Sequence, residues 1–287
     1  MRFSCAVIAT VACLCSCNTA EKATGAPESI TRIITLAPNL TELVFAAGAG
    51  DLLVGVSAYS DYPPAAQDIP IVSDAFTVDH EQLIMLKPDL LLAWQSGTPS
   101  RVVDELRAAG FNVEAIVTRG LDDVPTALEY IGLLTGNDAT ARAAASQFRD
   151  ALDRLARQHS ASAEISVFYQ ITARPLYTVN REHFIAEIIS LCGGRNIFSD
   201  LSELAPSVSV EAVIDRDPEV LLAASDSGDT PFGDWRRWDR LAANRYNNHF
   251  IVGSAEIGRA TPRLVEAAEQ VCSALTIARD NREAAGG

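Results

Sequence analysis

The chain has 287 residues, 48% of them hydrophobic and 21% charged, which is typical of a folded protein with one large domain or two of ordinary size. Its 37 acidic and 23 basic residues give a formal charge of -14. Because nucleic acids are polyanions, this charge disfavours a nucleic-acid partner and is compatible with a basic docking partner.

The N-terminus reads MRFSCAVIATVACLCSC, with one arginine followed by an apolar run too short to be a permanent membrane helix. Residues 1–17 are therefore predicted to be an export signal, and 18–30 a flexible tether. The ending L-C-S-C is similar to the lipobox of bacterial lipoproteins, which would make Cys17 the acylated mature N-terminus. Cleavage near Ala20 by the ordinary signal peptidase is the alternative. The expected location is the periplasm, or a membrane-anchored lipoprotein facing the periplasm or cell exterior.

Only two cysteines, Cys192 and Cys272, lie beyond this segment. Cys192 ends one predicted helix of the second half of the chain, and Cys272 lies within another. In an oxidising compartment such a pair is compatible with a disulfide, and two separate buried thiols are the alternative.

The first half alternates strand and helix patterns, which predicts a parallel sheet covered by helices in an N-terminal α/β lobe, residues 31–136. The predicted strands are 32–36, 52–57, 90–93 and 112–117, and the predicted helices are 41–47, 79–86, 99–109 and 121–135.

A single uninterrupted helix is predicted at the middle of the chain. Residues 139–158 contain neither glycine nor proline and place Phe148, Leu152 and Leu155 at helical spacing. A helix of this length would be a stiff connector over residues 137–160.

The second half repeats the strand and helix alternation and predicts a C-terminal α/β lobe, residues 161–279, followed by a disordered tail, 280–287. The predicted strands are 165–169, 220–223 and 249–252, and the predicted helices are 181–191, 209–215 and 262–278.

The two halves share a repeated segment. Residues 81–94 read EQLIMLKPDLLLAW and residues 211–224 read EAVIDRDPEVLLAA, identical at six of fourteen positions. Each copy predicts a short helix led by a glutamate, a proline that ends it and a buried strand. The repeat indicates two similar lobes, each presenting one carboxylate, Glu81 or Glu211, on an equivalent helix.

Motifs for catalysis are not found. The sequence has no G-x-x-x-x-G-K-[ST] phosphate loop, no G-x-G-x-x-G after a strand and no G-x-S-x-G elbow. Asp79-His80-Glu81 is the one local cluster with metal-ligand chemistry, and a polar triplet that opens a helix is more typical of a cap. No catalytic residue and no metal ligand is therefore assigned.

Several aromatic residues fall at predicted loops or strand ends, where open α/β sheets bind ligands. They are Tyr59, Tyr62, Phe76, Trp94, Tyr177, Phe232, Trp235 and Trp238. For Tyr59 and Trp94 we favour stacking on a flat apolar ligand over capping of the core. For Trp235 and Trp238 the two interpretations are equally supported.

Five motifs together resemble the substrate-binding proteins of ABC importers for cobalamin and siderophores, over nearly all of the mature chain. They are ITLAPNLTEL at 34–43, VGVSAYSDYPP at 54–64, LKPDL at 86–90, CGGRNIF at 192–198 and RATPR at 259–263. The resemblance implies an α/β fold of two Rossmann-like lobes with parallel sheets, joined by one long connecting helix.

The resemblance also implies function: a protein, monomeric when free, that is not an enzyme and carries a corrinoid, with cobalamin as the expected cargo, to the transmembrane permease subunits of an ABC importer. Glu81 and Glu211 would pair with arginines of those subunits. The implied ligand-binding residues are Tyr59, Phe76, Trp94, Tyr177, Glu256 and Arg259. Where the family has tryptophans and an aspartate facing a corrin ring, this chain has Ala75, Ala205 and Ala255.

Two alternatives stay open at this point. The same architecture could bind a ferric siderophore or haem, using Arg174, Arg181 and Arg259. An exported enzyme, metal-dependent or corrinoid-processing, is the alternative from another class.

Overall fold

The N-lobe, residues 30–136, is an α/β layer with one five-stranded sheet. In this computed structural model, which describes residues 30–227 and 230–286, the sheet has the order β3-β2-β1-β4-β5, and all pairs are parallel. The strands are β1 (Ile33–Thr35), β2 (Leu53–Ser57), β3 (Ile71–Ser73), β4 (Leu90–Trp94) and β5 (Val113–Ile116). The helices are α1 (Pro38–Ala46), α2 (His80–Leu86), α3 (Ser100–Ala108) and α4 (Asp123–Thr135).

A long helix, α5 (Asp138–His159), joins the two halves of the chain and packs on both. Its buried side includes Phe148, Leu152 and Leu155, the apolar residues at helical spacing. It contacts α4 of the N-lobe and two helices of the second lobe, so one continuous apolar core runs through both lobes.

The C-lobe, residues 161–286, has a four-stranded parallel sheet of order β11-β10-β6-β9. Its strands are β6 (Ile165–Gln170), β9 (Gly194–Asn196), β10 (Val220–Ala224) and β11 (His249–Val252), with a small hairpin of β7 (Thr172–Ala173) and β8 (Leu176–Tyr177). The helices are α6 (Phe184–Leu191), α7 (Val210–Arg216), α8 (Ala242–Arg245), α9 (Ser254–Ile257) and α10 (Leu264–Ala284). The expected class, two α/β lobes with parallel sheets and a connecting helix, is confirmed.

The repeated segment forms the same local structure in each lobe. α2 is capped by Asp79 and α7 by Ser209, and each helix ends at a residue with positive φ immediately before the proline. That residue is Lys87, with φ of 45°, in the first copy and Asp217, with φ of 39°, in the second. A left-handed residue followed by proline ends the helix and releases the chain directly into β4 or β10.

The C-terminus differs from the sequence expectation. The last helix, predicted over 262–278, spans Leu264–Ala284, so residues 280–284 of the predicted disordered tail are helical. The last turns are held by polar contacts that composition does not reveal: Arg282 pairs with Glu219 at 2.9 Å, and the Asn281 amide donates to the Asn248 Oδ1 at 2.9 Å.

Cys192 at the end of α6 and Cys272 in α10 form a disulfide, which decides between the two sequence-based alternatives. The predicted export signal, Cys17 and the tether up to residue 29 lie outside the described residues. Among the residues that are described, no helix is long and apolar enough to cross a membrane.

Candidate functional site

A mostly apolar cavity of about 220 Å³ lies in the N-lobe at the carboxyl ends of its strands. Three of the residues predicted to bind ligand line it: Tyr59 after β2, Phe76 after β3 and Trp94 at the end of β4. Tyr59 and Phe76 are 81% and 82% exposed. Two aromatic rings this exposed beside an apolar cavity are typical of a ligand site, because they would otherwise cost hydrophobic free energy in water.

A second cavity, about 360 Å³, lies between the lobes. Trp94 lines this cavity as well and so connects it with the first. The other N-lobe residues in its wall include Thr118 and Arg119, which follow β5. The C-lobe contributes residues at strand ends and at the start of α6, among them Tyr169, His183, Phe184, Ala224 and Asp226.

Trp94 carries a polar group without a partner. Its Nε1 is buried, and no hydrogen-bond acceptor for it is found among residues 30–227 and 230–286. A buried donor without an acceptor is unfavourable, so this indole N–H is a local cost within the described fold.

His183 is a neutral residue in the wall of the inter-lobe cavity. Its Nδ1 accepts a hydrogen bond from the Ile185 backbone N–H at 3.2 Å and so caps α6. Burial lowers the pKa of His183 to about 4. Because Nδ1 is an acceptor, the remaining proton of the neutral ring is on Nε2, and the ring offers a neutral donor.

Backbone and side-chain hydrogen bonds join the lobes beside this cavity. The Phe184 N–H donates to the Arg119 carbonyl at 2.9 Å, and the Leu121 N–H donates to a Glu187 carboxylate oxygen at 2.6 Å. Burial raises the pKa of Glu187. These contacts, together with α5, hold the two walls of the cavity at a defined distance.

Arg259, predicted to contact ligand, is held by the opposite lobe instead. Its Nη1 donates to Glu42 Oε1 at 2.9 Å and to Asp61 Oδ1 at 2.7 Å, and its Nη2 donates to the Tyr59 carbonyl at 3.0 Å. Burial raises the pKa of Glu42, while the hydrogen bond from Arg259 lowers the pKa of Asp61. We name this inter-lobe group of Glu42, Asp61, Arg259 and Arg263 the ion cluster.

Two further predicted ligand residues lie apart from the cavities. Glu256 pairs with Arg263, whose guanidinium also packs over the Tyr62 ring at 4.2 Å. Tyr177 is partly exposed on β8, where it pairs with Ser207, and does not line either cavity. Ligand contact by Tyr177, Glu256 and Arg259 therefore stays a prediction.

The arginines considered for an anionic ligand are engaged or placed elsewhere. Arg174 pairs with Asp234 at 2.8 Å. Arg181 lines a separate depression beside Gly193 and Arg195. With Arg259 in the ion cluster, none of the three lines the inter-lobe cavity.

The two repeat glutamates lie on the surface, one on each lobe. Glu81 is in the first turn of α2 and Glu211 in the first turn of α7, and both are exposed. On α2 the same face carries Ile84 and Met85, which are 66% and 71% exposed.

The Asp79-His80-Glu81 triplet is a helix cap. Asp79 Oδ1 accepts a hydrogen bond from the Gln82 N–H at 3.0 Å, and this bond is the main reason that the pKa of Asp79 is lowered. In the described part of the chain no group of three or more His, Cys, Asp or Glu side chains is arranged to hold a metal ion.

The sequence did not single out His183, Arg119 or Asp226. For Arg119 and Asp226 the sequence does carry a signal, because both follow buried strands, where parallel sheets place ligand-binding side chains. The sequence prediction weighed only aromatic residues at these positions. His183 opens a helix, and nothing in the sequence separates such a histidine from an ordinary cap.

Comparison with known proteins agrees with this architecture. Residues 33–245 match the family described as periplasmic binding protein. A vitamin B12-binding protein of Vibrio cholerae is 38% identical over 254 residues, covering 88% of this chain and 92% of that protein. The protein of the same name from Vibrio parahaemolyticus is 35% identical over 254 residues, covering 87% of this chain and 90% of its own length.

Solved structures are similar too. The periplasmic vitamin B12-binding protein BtuF of Vibrio cholerae matches with a TM-score of 0.80 and 38% identity, covering 87% of this chain and 98% of that chain. A periplasmic haem-binding protein of Pseudomonas aeruginosa matches with a TM-score of 0.74 and 25% identity, covering 85% and 92%. The chain therefore belongs to the periplasmic binding protein family, whose members bind ligands for ABC import and are not enzymes.

Proposed function

We propose that the protein captures a corrinoid between its lobes and delivers it to the permease of an ABC importer. Cobalamin is the corrinoid that we favour. The observation that carries this proposal is the aromatic group of Tyr59, Phe76 and Trp94 around an apolar cavity that meets the inter-lobe cavity at Trp94. The Vibrio relatives named for vitamin B12 support the choice of ligand.

The chemistry of the two cavities fits such a ligand. A corrin ring presents a flat apolar face for the exposed aromatic rings and amide side chains at its edge. Amide carbonyls would accept from the neutral His183 in the wall of the inter-lobe cavity, whose donor needs no charged partner. The hydrogen bonds between the lobes favour a largely preformed cleft, which limits the entropic cost of binding.

An anionic siderophore would meet one arginine in the wall of the inter-lobe cavity, Arg119. Arg174 and Arg259 each have a carboxylate partner, so binding anionic oxygens through them would first break an ion pair. Haem would also stack on the aromatic walls. It differs from a corrinoid with amide side chains because it carries two anionic propionates.

Isothermal titration separates these ligands. We expect tight one-to-one binding of cyanocobalamin and much weaker binding of haemin and of a ferric catecholate. Absence of heat with cyanocobalamin, or preferential binding of haemin, would refute the corrinoid assignment.

We further propose that Glu81 and Glu211 dock on arginines of the two permease subunits. Support comes from their exposure at equivalent positions of α2 and α7, one on each lobe, and from the exposed Ile84 and Met85 beside Glu81, which could cover an apolar part of the permease.

The docking test compares two double variants. Glu81→Ala with Glu211→Ala is expected to keep cyanocobalamin affinity and to abolish complex formation with the permease of the native host. Glu105→Ala with Glu269→Ala, exposed carboxylates on other helices, is the matched control and should leave both properties unchanged. Equal loss of the complex in both variants would mean that only overall charge matters.

We also propose that Cys17 is acylated and anchors the mature protein, which is a monomer when free. Mass spectrometry of the protein from its host would reveal a lipid-modified N-terminus at Cys17, absent in Cys17→Ala. A mature N-terminus near Glu21 without lipid, as expected for cleavage after Ala20, would contradict the anchor. Light scattering reports the oligomeric state.

A further inference from the structure

The turn that carries Tyr59 has an unusual backbone conformation. Tyr59 has a φ of 65°, in the left-handed region that residues with a Cβ atom rarely adopt. Tyr59 is 81% exposed, so packing of its side chain does not enforce this conformation. The turn must therefore be held by contacts of its backbone and of its neighbours.

Some of these contacts come from within the N-lobe. The Asp61 N–H donates to the Tyr59 carbonyl at 3.0 Å, and the buried Ser60 hydroxyl lies 2.9 Å from the Thr41 hydroxyl. With the Ala58 N–H, which donates to the Ser73 carbonyl at 2.7 Å, they fix the residues on both sides of Tyr59. They leave one side of the turn, the side facing the C-lobe, to other partners.

Arg259 supplies the contact from the C-lobe. It follows α9, and both of its terminal nitrogens bond to the N-lobe: Nη2 to the Tyr59 carbonyl and Nη1 to Asp61 and Glu42. The Arg259 side chain thus holds the turn at two points, the backbone carbonyl of Tyr59 and the carboxylate of Asp61. A guanidinium can do this because its donors diverge in a fixed plane.

Glu42 keeps Arg259 in place. Glu42 is 3% exposed, and its Oε2 has no hydrogen-bond partner within the described residues. If Arg259 turned toward a ligand, the charged partner left to this buried carboxylate among the described residues would be Arg263, at 3.7 Å. Because an unpaired buried charge is strongly unfavourable, Arg259 is expected to stay on the ion cluster when ligand binds.

Resting on the ligand-binding role proposed above, we propose that Arg259 is a positioning residue: it acts on the ligand through Tyr59, whose ring it holds at the mouth of the N-lobe cavity from the opposite lobe. The same bonds tie the lobes together beside the site.

The first test needs no ligand. Arg259→Lys keeps a positive charge beside Glu42, while a single ammonium cannot reproduce the forked contacts to Asp61 and the Tyr59 carbonyl. Hydrogen exchange of a peptide covering residues 57–62 should become about tenfold faster in Arg259→Lys, as expected for a locally loosened segment. The matched control is Arg282→Lys, which alters a similarly half-buried ion pair with Glu219 inside the C-lobe. Unchanged exchange in residues 57–62 would overturn the proposal.

The second test is a double-variant cycle with cyanocobalamin. Arg259→Lys and Tyr59→Ala should each weaken binding about tenfold, and the double variant should be no weaker than Tyr59→Ala alone, because residues that act through one another are not additive. A full additional loss in the double variant would mean that Arg259 touches the ligand directly. If the wild-type protein binds no cyanocobalamin, the proposed cargo is wrong, and the exchange experiment still decides whether Arg259 holds the turn.

Discussion

The disulfide gives a prediction whose size follows from the fold. Cys192 ends α6 and Cys272 lies in α10, and both are buried at the centre of the C-lobe. Replacing both with alanine in Cys192→Ala, Cys272→Ala removes the crosslink and leaves the two helices in contact through the surrounding apolar residues.

The crosslink closes a loop with a sequence separation of 80 residues. Loop-closure entropy for a ring of that size predicts a loss of about 4.5 kcal/mol in the free energy of unfolding at 25 °C. For a chain of this length, such a loss corresponds to a melting temperature lower by about 10 °C. The alanine pair also lacks two buried sulfur atoms, which adds to the loss in the same direction.

Urea unfolding of the oxidised wild type, the reduced wild type and the alanine pair measures these differences. Reductant should destabilise the wild type and have no effect on the alanine pair, which is the control for side effects of the reductant. A difference below about 1 kcal/mol between oxidised and reduced wild type, well under the range typical of native disulfides, would refute the entropic reasoning.

Three further predictions concern the site. Trp94→Ala should weaken cyanocobalamin binding at least tenfold by titration calorimetry, whereas Trp238→Ala, a partly exposed tryptophan outside both cavities, should not; equal effects would contradict the assigned site. The lowered pKa of His183, about 4 against an ordinary value near 6.5, corresponds to about 3 kcal/mol of stability that is complete above pH 6.5 and lost as the pH falls to about 4. His183→Asn retains a capping oxygen and should flatten this part of the curve of unfolding free energy against pH; an unchanged slope would contradict the burial argument. The lowered pKa of Asp61 means that its bond to Arg259 stabilises the fold above the unfolded-state pKa, so the melting temperatures of wild type and Asp61→Asn should differ near neutral pH and converge below about pH 4.

The spacing of apolar residues and the positions of proline and glycine were sufficient to predict much of the fold. The helix without glycine or proline became α5, and the two proline-ended segments became α2 with β4 and α7 with β10. These elements follow from local rules, because proline and apolar spacing act over a few residues. The strands β3, β7, β8 and β9 were not predicted, and β3 and β9 pair only because neighbouring strands are already in place.

The aromatic part of the site was predictable for a related reason. Tyr59, Phe76 and Trp94 follow strands or end them, and a parallel sheet brings such ends to one edge. The sequence could not show that Trp94 would line both the N-lobe cavity and the inter-lobe cavity. Nor could it show that Tyr177, on the β7–β8 hairpin, would line neither.

The sequence by itself determined the class of the fold, the two lobes, the stiff connection and the exposed glutamates of the repeat, because each depends on residues close together in the chain. Only the tertiary structure decided the partners of charged groups. Arg259 meets Glu42 at a separation of 217 residues, Arg282 meets Glu219, and α10 therefore extends beyond its apolar part. Ion pairs of this kind depend on where two distant elements pack, and the cost of burying an unpaired charge then selects one geometry that no local pattern encodes.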